Sequence, residues 1–518
     1  MKPSEFRNEP PTDFSRAENR AAMESALSSV AARLGQRRSM RIGGQAVQQA
    51  ATFVSYNPSR HTEVVAVFPR ARTDDVAAAV DAAWQAYGTW CHVPAAERSA
   101  YLLRAAVAMR RRRHEFSAWL SYEVGKTWPE ADADTAEAVD FLEFYGRENL
   151  RYAAEQPCTP VPGERTSLVY RPLGVCVVIP PWNFPLAILV GMASAAIAAG
   201  NTVVLKPSSD APTIADEFVS LMQEVGLPPG VLNLVTGSGG EIGDALVTHP
   251  RVRLVAFTGS KVVGLRINEL AARPVPGQRW IKRVIAEMGG KDAIIVDREA
   301  DLDSAAQGVA ASACGYQGQK CSACSRAIVD EAVYDAFLEK LLSRVRALRL
   351  GPSTDPGSDM GPVINARAMR SILESVELGR REGRLLLGGD AAADSSGHFV
   401  TPTVIADVSP RARIAQEEIF GPVLAVLRAR DFEDALRIAN DTEYGLTGSV
   451  YTRNRAKIER ASRDFFVGNL YFNRKCTGAL VGAHPFGGFN MSGTDSKAGG
   501  RDYLLLFVQA QSIAEKLA

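Results

Sequence analysis

"GVCVVIPPWNFPLAILVGMASAAIAAGNTVVLKPS" spans residues 174–208 and changes character three times. A short aliphatic run, GVCVVI, leads into a proline-rich turn and then into an apolar, alanine-rich segment from Pro185 to Ala199. Gly200 ends that segment, and a second aliphatic run, TVVLK, follows. Short aliphatic runs bounded by turn residues are typical of strands, and a glycine directly after an apolar segment is typical of a helix end. The segment therefore predicts a βαβ unit with a buried helix.

The same alternation of strand and helix patterns continues toward the C-terminus, and such repetition predicts mostly parallel, doubly wound sheets. Helical spacing of apolar residues already marks 73–113. The next series should contain a helix over 213–225, a strand over 231–235, a helix after 240, a strand at RLVAFTG and a helix from 261. A second series begins after Glu287, with strands at AIIVD and RAIVD and helices over 301–313 and 331–350. Gly289 and Gly290 form a predicted hinge between two α/β domains.

Composition limits the classes of partner. The chain has 518 residues, 59 basic and 58 acidic, with a formal net charge of +1. This length suffices for two or three domains with large cores. Because the charge is balanced, no chain-wide field attracts nucleic acid or an anionic membrane, and we expect neither as a partner. The basic run RRRRH at 110–114 is assigned to the solvated face of an amphipathic helix.

Cellular location is also suggested by composition. The N-terminus lacks a basic start followed by an apolar core, so a secretory signal is not expected. The longest apolar stretch, 185–200, is shorter than the ~18 uninterrupted apolar residues that a membrane span needs. Seven cysteines, an odd number spread over a long chain, favour reduced thiols over a disulfide framework. We expect a cytoplasmic protein.

The segment GYQGQKCSACSR, residues 315–326, contains two cysteines in an open run of small residues. Cys321 and Cys324 form C-x-x-C, but zinc requires four ligands, and the sequence offers no second C-x-x-C and no close histidine pair, so no metal is expected. A redox pair would be expected nearer the first βαβ unit. A single nucleophilic cysteine remains, provided that the chain also supplies an oxyanion donor and a base.

Two residues meet that requirement. Asn183 lies in PPWNFP at the predicted carboxyl end of a strand, where doubly wound sheets bind ligands. Glu287 lies in AEMGGK among apolar and small residues, where burial would raise the pKa of its carboxyl group toward that of a useful base. Taken alone, each residue is better explained by an ordinary structural position.

Two glycine-rich loops, TGSGGEIG and FTGSKVVG, resemble nucleotide-binding turns only partly. Gly237, Gly239 and Gly243 do not reproduce G-x-G-x-x-G, and Leu265 and Arg266 stand where a P-loop has Lys and Ser or Thr. Either loop could contact a pyrophosphate through a helix N-terminus or could be a tight βα turn.

The motifs PWNFP, KPS, FTGS, EMGGK, GQKC and EEIFGPV follow in this order between residues 181 and 423. Together they resemble the NAD(P)-dependent aldehyde dehydrogenase superfamily, over about 57–507. The resemblance implies that family's fold: an α/β protein with two doubly wound domains, one Rossmann-like for the cofactor and one catalytic, plus a small β oligomerisation element. The implied domains are an N-terminal helical part of the NAD(P)-binding domain (1–153), an oligomerisation hairpin (154–173), the NAD(P)-binding core (174–288), the catalytic domain (289–486) and a C-terminal oligomerisation segment (487–518).

The resemblance also implies residue roles. Cys321 would be the nucleophile, Asn183 and the Cys321 backbone N–H would bind the oxyanion, and Glu287 would activate the deacylating water. Cofactor contacts would come from Pro181, Trp182, Lys206, Ser209, Gly237, Gly259, Ser260, Glu418 and Phe420. Ser209 is a departure, because many members carry there a glutamate that holds the ribose of NAD. Without that carboxylate a 2′-phosphate is not repelled, so we expect NAD as the cofactor with NADP tolerated.

Residues 473–500, NRKCTGALVGAHPFGGFNMSGTDSKAGG, resemble the glutamate γ-semialdehyde dehydrogenase branch of that family. The resemblance implies that this substrate is bound by Ser322, Gly478, Ala479, Phe184, Phe486 and Glu137. It implies a homo-oligomer, a dimer or larger, with functional coupling to a separate proline dehydrogenase. Three alternatives stay open: a dehydrogenase for another ω-semialdehyde or for a broad range of aldehydes, a catalytically silent relative, and a thiol-redox protein using Cys321 and Cys324.

Overall fold

The computed structural model describes residues 5–393, 396–494 and 496–517. Its helices are α1 (Ala17–Ala31), α2 (Thr73–Trp90), α3 (Ala95–Arg111), α4 (Arg113–Val124), α5 (Trp128–Ala153), α6 (Ala187–Ala198), α7 (Pro212–Glu224), α8 (Gly239–Thr248), α9 (Lys261–Ala272), α10 (Leu302–Cys314), α11 (Tyr334–Arg346), α12 (Ala366–Glu382), α13 (Arg413–Gln416), α14 (Phe432–Asn440) and α15 (Arg455–Asp464). Its strands are β1 (Gln36–Arg37), β2 (Met40–Ile42), β3 (Gln45–Val47), β4 (Thr52–Asn57), β5 (Arg60–Pro69), β6 (Glu164–Pro172), β7 (Val175–Ile179), β8 (Thr202–Leu205), β9 (Leu232–Leu234), β10 (Val252–Thr258), β11 (Arg283–Glu287), β12 (Asp292–Val296), β13 (Cys324–Asp330), β14 (Arg384–Leu387), β15 (Thr403–Ala406), β16 (Val423–Ala429), β17 (Tyr444–Gly445), β18 (Thr447–Tyr451), β19 (Asn469–Phe472), β20 (Phe489–Asn490) and β21 (Val508–Lys516).

The predicted βαβ unit is confirmed. Strands β7 and β8 pair in parallel, with Val175 opposite Thr202, and α6 joins them. All residues of α6 except Ile188 are buried, as its uninterrupted apolar composition requires. The unit lies within a seven-stranded sheet of order β11-β10-β7-β8-β9-β2-β3, in which β7 to β11 run parallel.

A second seven-stranded sheet has the order β14-β15-β16-β13-β12-β18-β19. Its strands pair in parallel except for the edge pair β14 and β15. The short segment 288–291, which contains Gly289 and Gly290, joins β11 of the first sheet directly to β12 of the second. The two sheets confirm the predicted two-domain α/β architecture, and the domain boundaries stay predictions.

Strands β6 and β21 form a separate two-stranded antiparallel ribbon, in register from Pro172 opposite Val508 to Glu164 opposite Lys516. All residues of β21 after Val508 are exposed. Strand β6 lies in the predicted hairpin segment (154–173), but it pairs with β21 of the predicted C-terminal segment (487–518), and the oligomerisation role of both stays a prediction.

Two helices differ from the sequence predictions. The helix predicted over 331–350 is shorter: a 3₁₀ turn covers Glu331–Val333, and α11 begins at Tyr334 and ends at Arg346. Val333 separates them because its φ of −121° and ψ of 3° lie outside the helical region. The 26-residue helix α5, the longest in the described chain, lies within the predicted N-terminal helical part (1–153), but its bounds were not predicted.

The basic run at 110–114 is more involved in packing than a solvated helix face would be. Arg112 and Arg113 are partly buried and form ion pairs with Glu115 at 2.9 Å and Asp132 at 2.6 Å, whereas Arg110 and Arg111 are exposed.

Across the described residues, no helix is both long enough and apolar enough to cross a bilayer.

Candidate active site

Cys321 lies on the loop between α10 and β13, and the backbone of this loop is unusual. Tyr316, Gln317 and Gly318 have φ values of 48°, 55° and 66°. Such a run of left-handed residues needs strong contacts from the surrounding structure to hold it. The Tyr316 hydroxyl donates to Val124 O at 2.8 Å, and the Gln317 amide donates to Pro362 O at 2.6 Å. The loop is therefore held rigidly by segments distant in sequence.

A cavity of about 450 Å³ lies beside Cys321. Its wall includes all of the residues predicted to bind substrate, together with Glu287: Ser322, Gly478, Ala479, Phe184, Phe486 and Glu137. These residues come from five separate chain segments. The structure thus brings the predicted nucleophile, base and substrate residues around one space, although their roles stay predictions.

Asn183 is buried, and its amide Nδ2 donates to Gln319 O at 3.0 Å, two residues before Cys321. Gln319 is itself fixed, because its side-chain oxygen accepts from Ile364 N at 2.9 Å. In this arrangement the Asn183 amide supports the cysteine loop, and its role as an oxyanion donor stays a prediction.

Glu287 ends β11, and an extended segment fixes its backbone on the other side: Met288 N donates to Ser492 O at 2.8 Å, and Glu287 bridges Gly493. Its carboxylate accepts from the Ser496 hydroxyl and from Gly488 N, the latter at 3.3 Å. Burial raises the pKa of this carboxyl group to about 7. Glu287 can therefore exchange a proton near neutral pH.

The thiol of Cys321 has its pKa raised, chiefly by burial and further by the nearby carboxylates of Asp292, Glu418 and Glu287. A thiol in these surroundings is protonated at neutral pH. Forming the nucleophilic thiolate therefore requires a group that offsets the negative charge.

The predicted cofactor residues before residue 288 all come shortly after the carboxyl end of a strand in the first sheet. Lys206 follows β8, Gly237 follows β9, and Gly259 and Ser260 follow β10. This edge of a parallel sheet is where doubly wound folds bind ligands. Burial lowers the pKa of Lys206 to about 8, and its ammonium donates to Pro207 O at 2.7 Å. The Ser209 hydroxyl donates to Gly237 O at 3.1 Å.

The remaining cofactor residues lie at the junction of the sheets. Glu418 accepts from Gly290 N at 3.1 Å, and its carboxylate lies so close to Gly289 that a Cβ there would collide with it. Burial raises the pKa of Glu418 to about 7. Trp182 and Phe420 meet edge to face, with ring centroids 5.4 Å apart.

Glu137 is an instructive case, since a glutamate in the middle of a helix is usually solvated. Here it lines the cavity, and burial, followed by the charge of Asp134, raises the pKa of its carboxyl group to about 8. Two cations missed by the sequence analysis also line the cavity: Lys320, which pairs with Glu130 at 2.8 Å, and Lys475. Lys320 directly precedes the predicted nucleophile Cys321, and Lys475 lies three residues before Gly478 of the predicted substrate loop; these positions were the signal that could have found them.

Comparison with known proteins decides the family. The model described as "Aldehyde dehydrogenase family" matches residues 46–513. The chain belongs to the aldehyde dehydrogenase family. The 1-pyrroline-5-carboxylate dehydrogenase of Geobacillus kaustophilus is 54% identical over 510 residues, which cover 98% of this chain and 99% of that protein.

Two solved structures are also highly similar to this chain. A structure of 1-pyrroline-5-carboxylate dehydrogenase from Thermus with bound NAD matches with a TM-score of 0.98 and 51% identity, covering all of both chains. Proline utilization A from Bdellovibrio bacteriovorus matches with a TM-score of 0.98 and 43% identity, covering 100% of this chain and 54% of that one. The predicted family and fold are confirmed.

The geometry of the site bears on two of the open alternatives. A catalytically silent relative is disfavoured, because Cys321 and Glu287 are both present and share one cavity. A thiol-redox pair of Cys321 and Cys324 is disfavoured because Cys324 is buried and its sulfur is directed to Arg326 O, at 3.5 Å. No group of three or more His, Cys, Asp or Glu side chains in the described part of the chain is placed to hold a metal ion.

Proposed function

We propose that this protein oxidises L-glutamate γ-semialdehyde, which forms from 1-pyrroline-5-carboxylate, to L-glutamate with reduction of NAD, the second step of proline catabolism. The observation that carries the proposal is the single cavity that Cys321 shares with Glu287 and with the glycine-rich loop at Gly478. The full-length similarity to 1-pyrroline-5-carboxylate dehydrogenases supports it.

In the acylation step, the Cys321 thiol loses its proton to solvent, the resulting thiolate attacks the aldehyde carbon, and the carbonyl oxygen becomes an oxyanion. The Asn183 amide and the Cys321 backbone N–H donate to that oxyanion, and loss of one such donor typically costs ~10²–10³ in turnover. The hydride on the thiohemiacetal carbon would then pass to the nicotinamide of bound NAD. Cys321 is left as a thioester of glutamate.

Glu287 then acts at deacylation. Its carboxylate accepts a proton from a water molecule, and the resulting hydroxide attacks the thioester carbon. The carbon–sulfur bond breaks, glutamate leaves with a new carboxylate, and the thiol is regenerated. A pKa of about 7 leaves roughly half of Glu287 deprotonated at neutral pH, which suits a base that must also give the proton up.

The residues at the strand ends fit a dinucleotide. Helix α9 begins directly after Ser260, so its first backbone N–H groups can receive a pyrophosphate, and the buried Lys206 ammonium would donate to ribose oxygens. We propose NAD as the cofactor and tolerance of NADP, because the Ser209 hydroxyl does not repel a 2′-phosphate as a carboxylate would.

Substrate recognition follows from the two charged groups of the semialdehyde. The backbone N–H groups of Gly478 and Ala479 and the Ser322 hydroxyl would bind the α-carboxylate, since successive free amides make an anion-binding concavity. Gly478 has a φ of 77°, a conformation that favours glycine. Glu137 would accept from the ammonium group, while Phe184 and Phe486 flank the aliphatic chain.

We further propose that the protein is cytoplasmic, that it assembles as a homo-oligomer through the β6–β21 ribbon, and that it is coupled to a separate proline dehydrogenase. The exposed face of β21 supports the second point.

The proposal is tested by incubating the protein with NAD and glutamate γ-semialdehyde in equilibrium with 1-pyrroline-5-carboxylate. NADH and glutamate should form in equal amounts, followed by absorbance and by mass spectrometry. Turnover of other ω-semialdehydes together with none of this substrate would overturn the assignment.

A further inference from the structure

The segment 5–15, which we call the N-terminal arm, precedes α1 and lies outside the residues 46–513 that the family model matches. Two of its residues, Glu9 and Pro11, nevertheless line the cavity beside Cys321. An element that the family model does not include thus forms part of the proposed substrate site.

Helix α5 holds the arm through buried carboxylates. Glu9 N donates to Asp140 Oδ1 at 2.7 Å, and Thr12 donates to Asp132 through its backbone N–H at 2.7 Å and its hydroxyl at 2.6 Å. The Phe14 ring packs on Trp128 with centroids 5.4 Å apart. These three residues of the arm are therefore fixed on the helix that carries Glu137.

Asn8 connects this helix to a second element. Its side-chain Nδ2 donates to Asp140 Oδ2 at 2.8 Å and also to Val481 O at 2.9 Å. Asp140 is one turn after Glu137 on α5, and Val481 is two residues after Ala479. One amide group thus joins the two elements that carry the proposed ammonium and carboxylate sites.

We infer that Asn8 is a positioning residue that sets the spacing between Glu137 and the Gly478–Ala479 loop and thereby determines preference for an α-amino acid aldehyde. The inference rests on the proposed function. The ammonium and carboxylate groups of the substrate are bonded to one carbon, so their separation is fixed, and both sites must match it. A simple aldehyde has neither group, and its reaction at Cys321 does not depend on that spacing.

The test compares kcat and KM for glutamate γ-semialdehyde and for pentanal, which has the same number of carbons, in Asn8→Ala. We expect KM for the semialdehyde to rise and its kcat/KM to fall about tenfold, because small misplacements of positioning groups are costly. The kcat/KM for pentanal should stay within about twofold, which also reports that the variant is folded. Asn8→Asp, which places a carboxylate against Asp140, should lower kcat/KM for the semialdehyde further than Asn8→Ala does.

Asn19→Ala is the matched control. It removes an amide that donates to a residue close by in the sequence, to Asp13 O at 2.9 Å. It should leave kcat/KM unchanged for both substrates. Equal losses for both substrates in Asn8→Ala, or no loss for either, would overturn the inference. If the unmodified enzyme shows no preference for the semialdehyde, the proposed function itself fails, and the inference fails with it.

Discussion

At the scale of single residues, Cys321 and Cys324 are three positions apart and have different surroundings. Cys321 lines the cavity, whereas Cys324 is buried with its sulfur near Arg326 O. We expect Cys321→Ala to lower kcat by at least ~10³-fold, since the nucleophile forms the acyl intermediate. Cys324→Ala should keep most of the activity in a steady-state NADH assay. A folded Cys324→Ala protein without activity would contradict the assignment of a single nucleophile.

Glu287 yields a prediction about both pH and kinetics. Because burial raises its pKa to about 7, and only the carboxylate can accept a proton, deacylation should slow as the pH falls through about 7. Glu287→Gln should remove this pH dependence, preserve a first-turnover burst of NADH and slow the steady rate. Stopped-flow and steady-state measurements from pH 5.5 to 8.5 check both points. If the burst is lost together with the steady rate, Glu287 acts before deacylation.

The sequence was sufficient to predict residues whose chemistry depends on a local motif. Cys321, Glu287 and Asn183 each occur in a short, characteristic segment. The raised pKa of Glu137 was not predictable in this way, because it depends chiefly on burial in a cavity wall formed by distant segments and then on the charge of Asp134. Lys320 was missed for a similar reason, as its partner Glu130 is 190 positions away.

At the scale of secondary-structure elements, the strands that carry the site were predictable because their aliphatic runs are short and bounded by turn residues. The bounds of helix α5 were not predicted, since its buried carboxylates have the appearance of solvated residues in the sequence. Asp132, Asp134 and Asp140 bind Thr12, Lys126 and Asn8, respectively, and these partners lie on other elements. A carboxylate buries readily only when such partners are present.

The loop between β8 and α7 determines the predicted choice of coenzyme. The Ser209 hydroxyl faces Gly237 O, next to the buried Lys206. Ser209→Glu should weaken binding of NADP by at least about tenfold and change NAD little, because a carboxylate would face a doubly charged phosphate at short range. The measurement is KM for each coenzyme at saturating aldehyde. Equal effects on both would show that residue 209 does not border the 2′ position.

At the scale of the whole molecule, the site lies where two sheets are joined by only four residues. Glu287 ends a strand of the first sheet, and Cys321 lies just before β13 of the second. The fold class was predictable because each sheet repeats one simple pattern. Contacts such as that between Asn8 and Val481 were not, since they join segments 473 positions apart and follow no periodicity.

The central claim is that the cavity beside Cys321 is built for an aldehyde that carries an α-amino acid group. Its most direct test is the ratio of kcat/KM for glutamate γ-semialdehyde to that for pentanal in the unmodified enzyme. We predict a ratio of at least ~10², because a site with donors for a carboxylate leaves them unpaired when the substrate lacks one. Comparable kcat/KM values for the two aldehydes would contradict the account and indicate an aldehyde dehydrogenase of broad range.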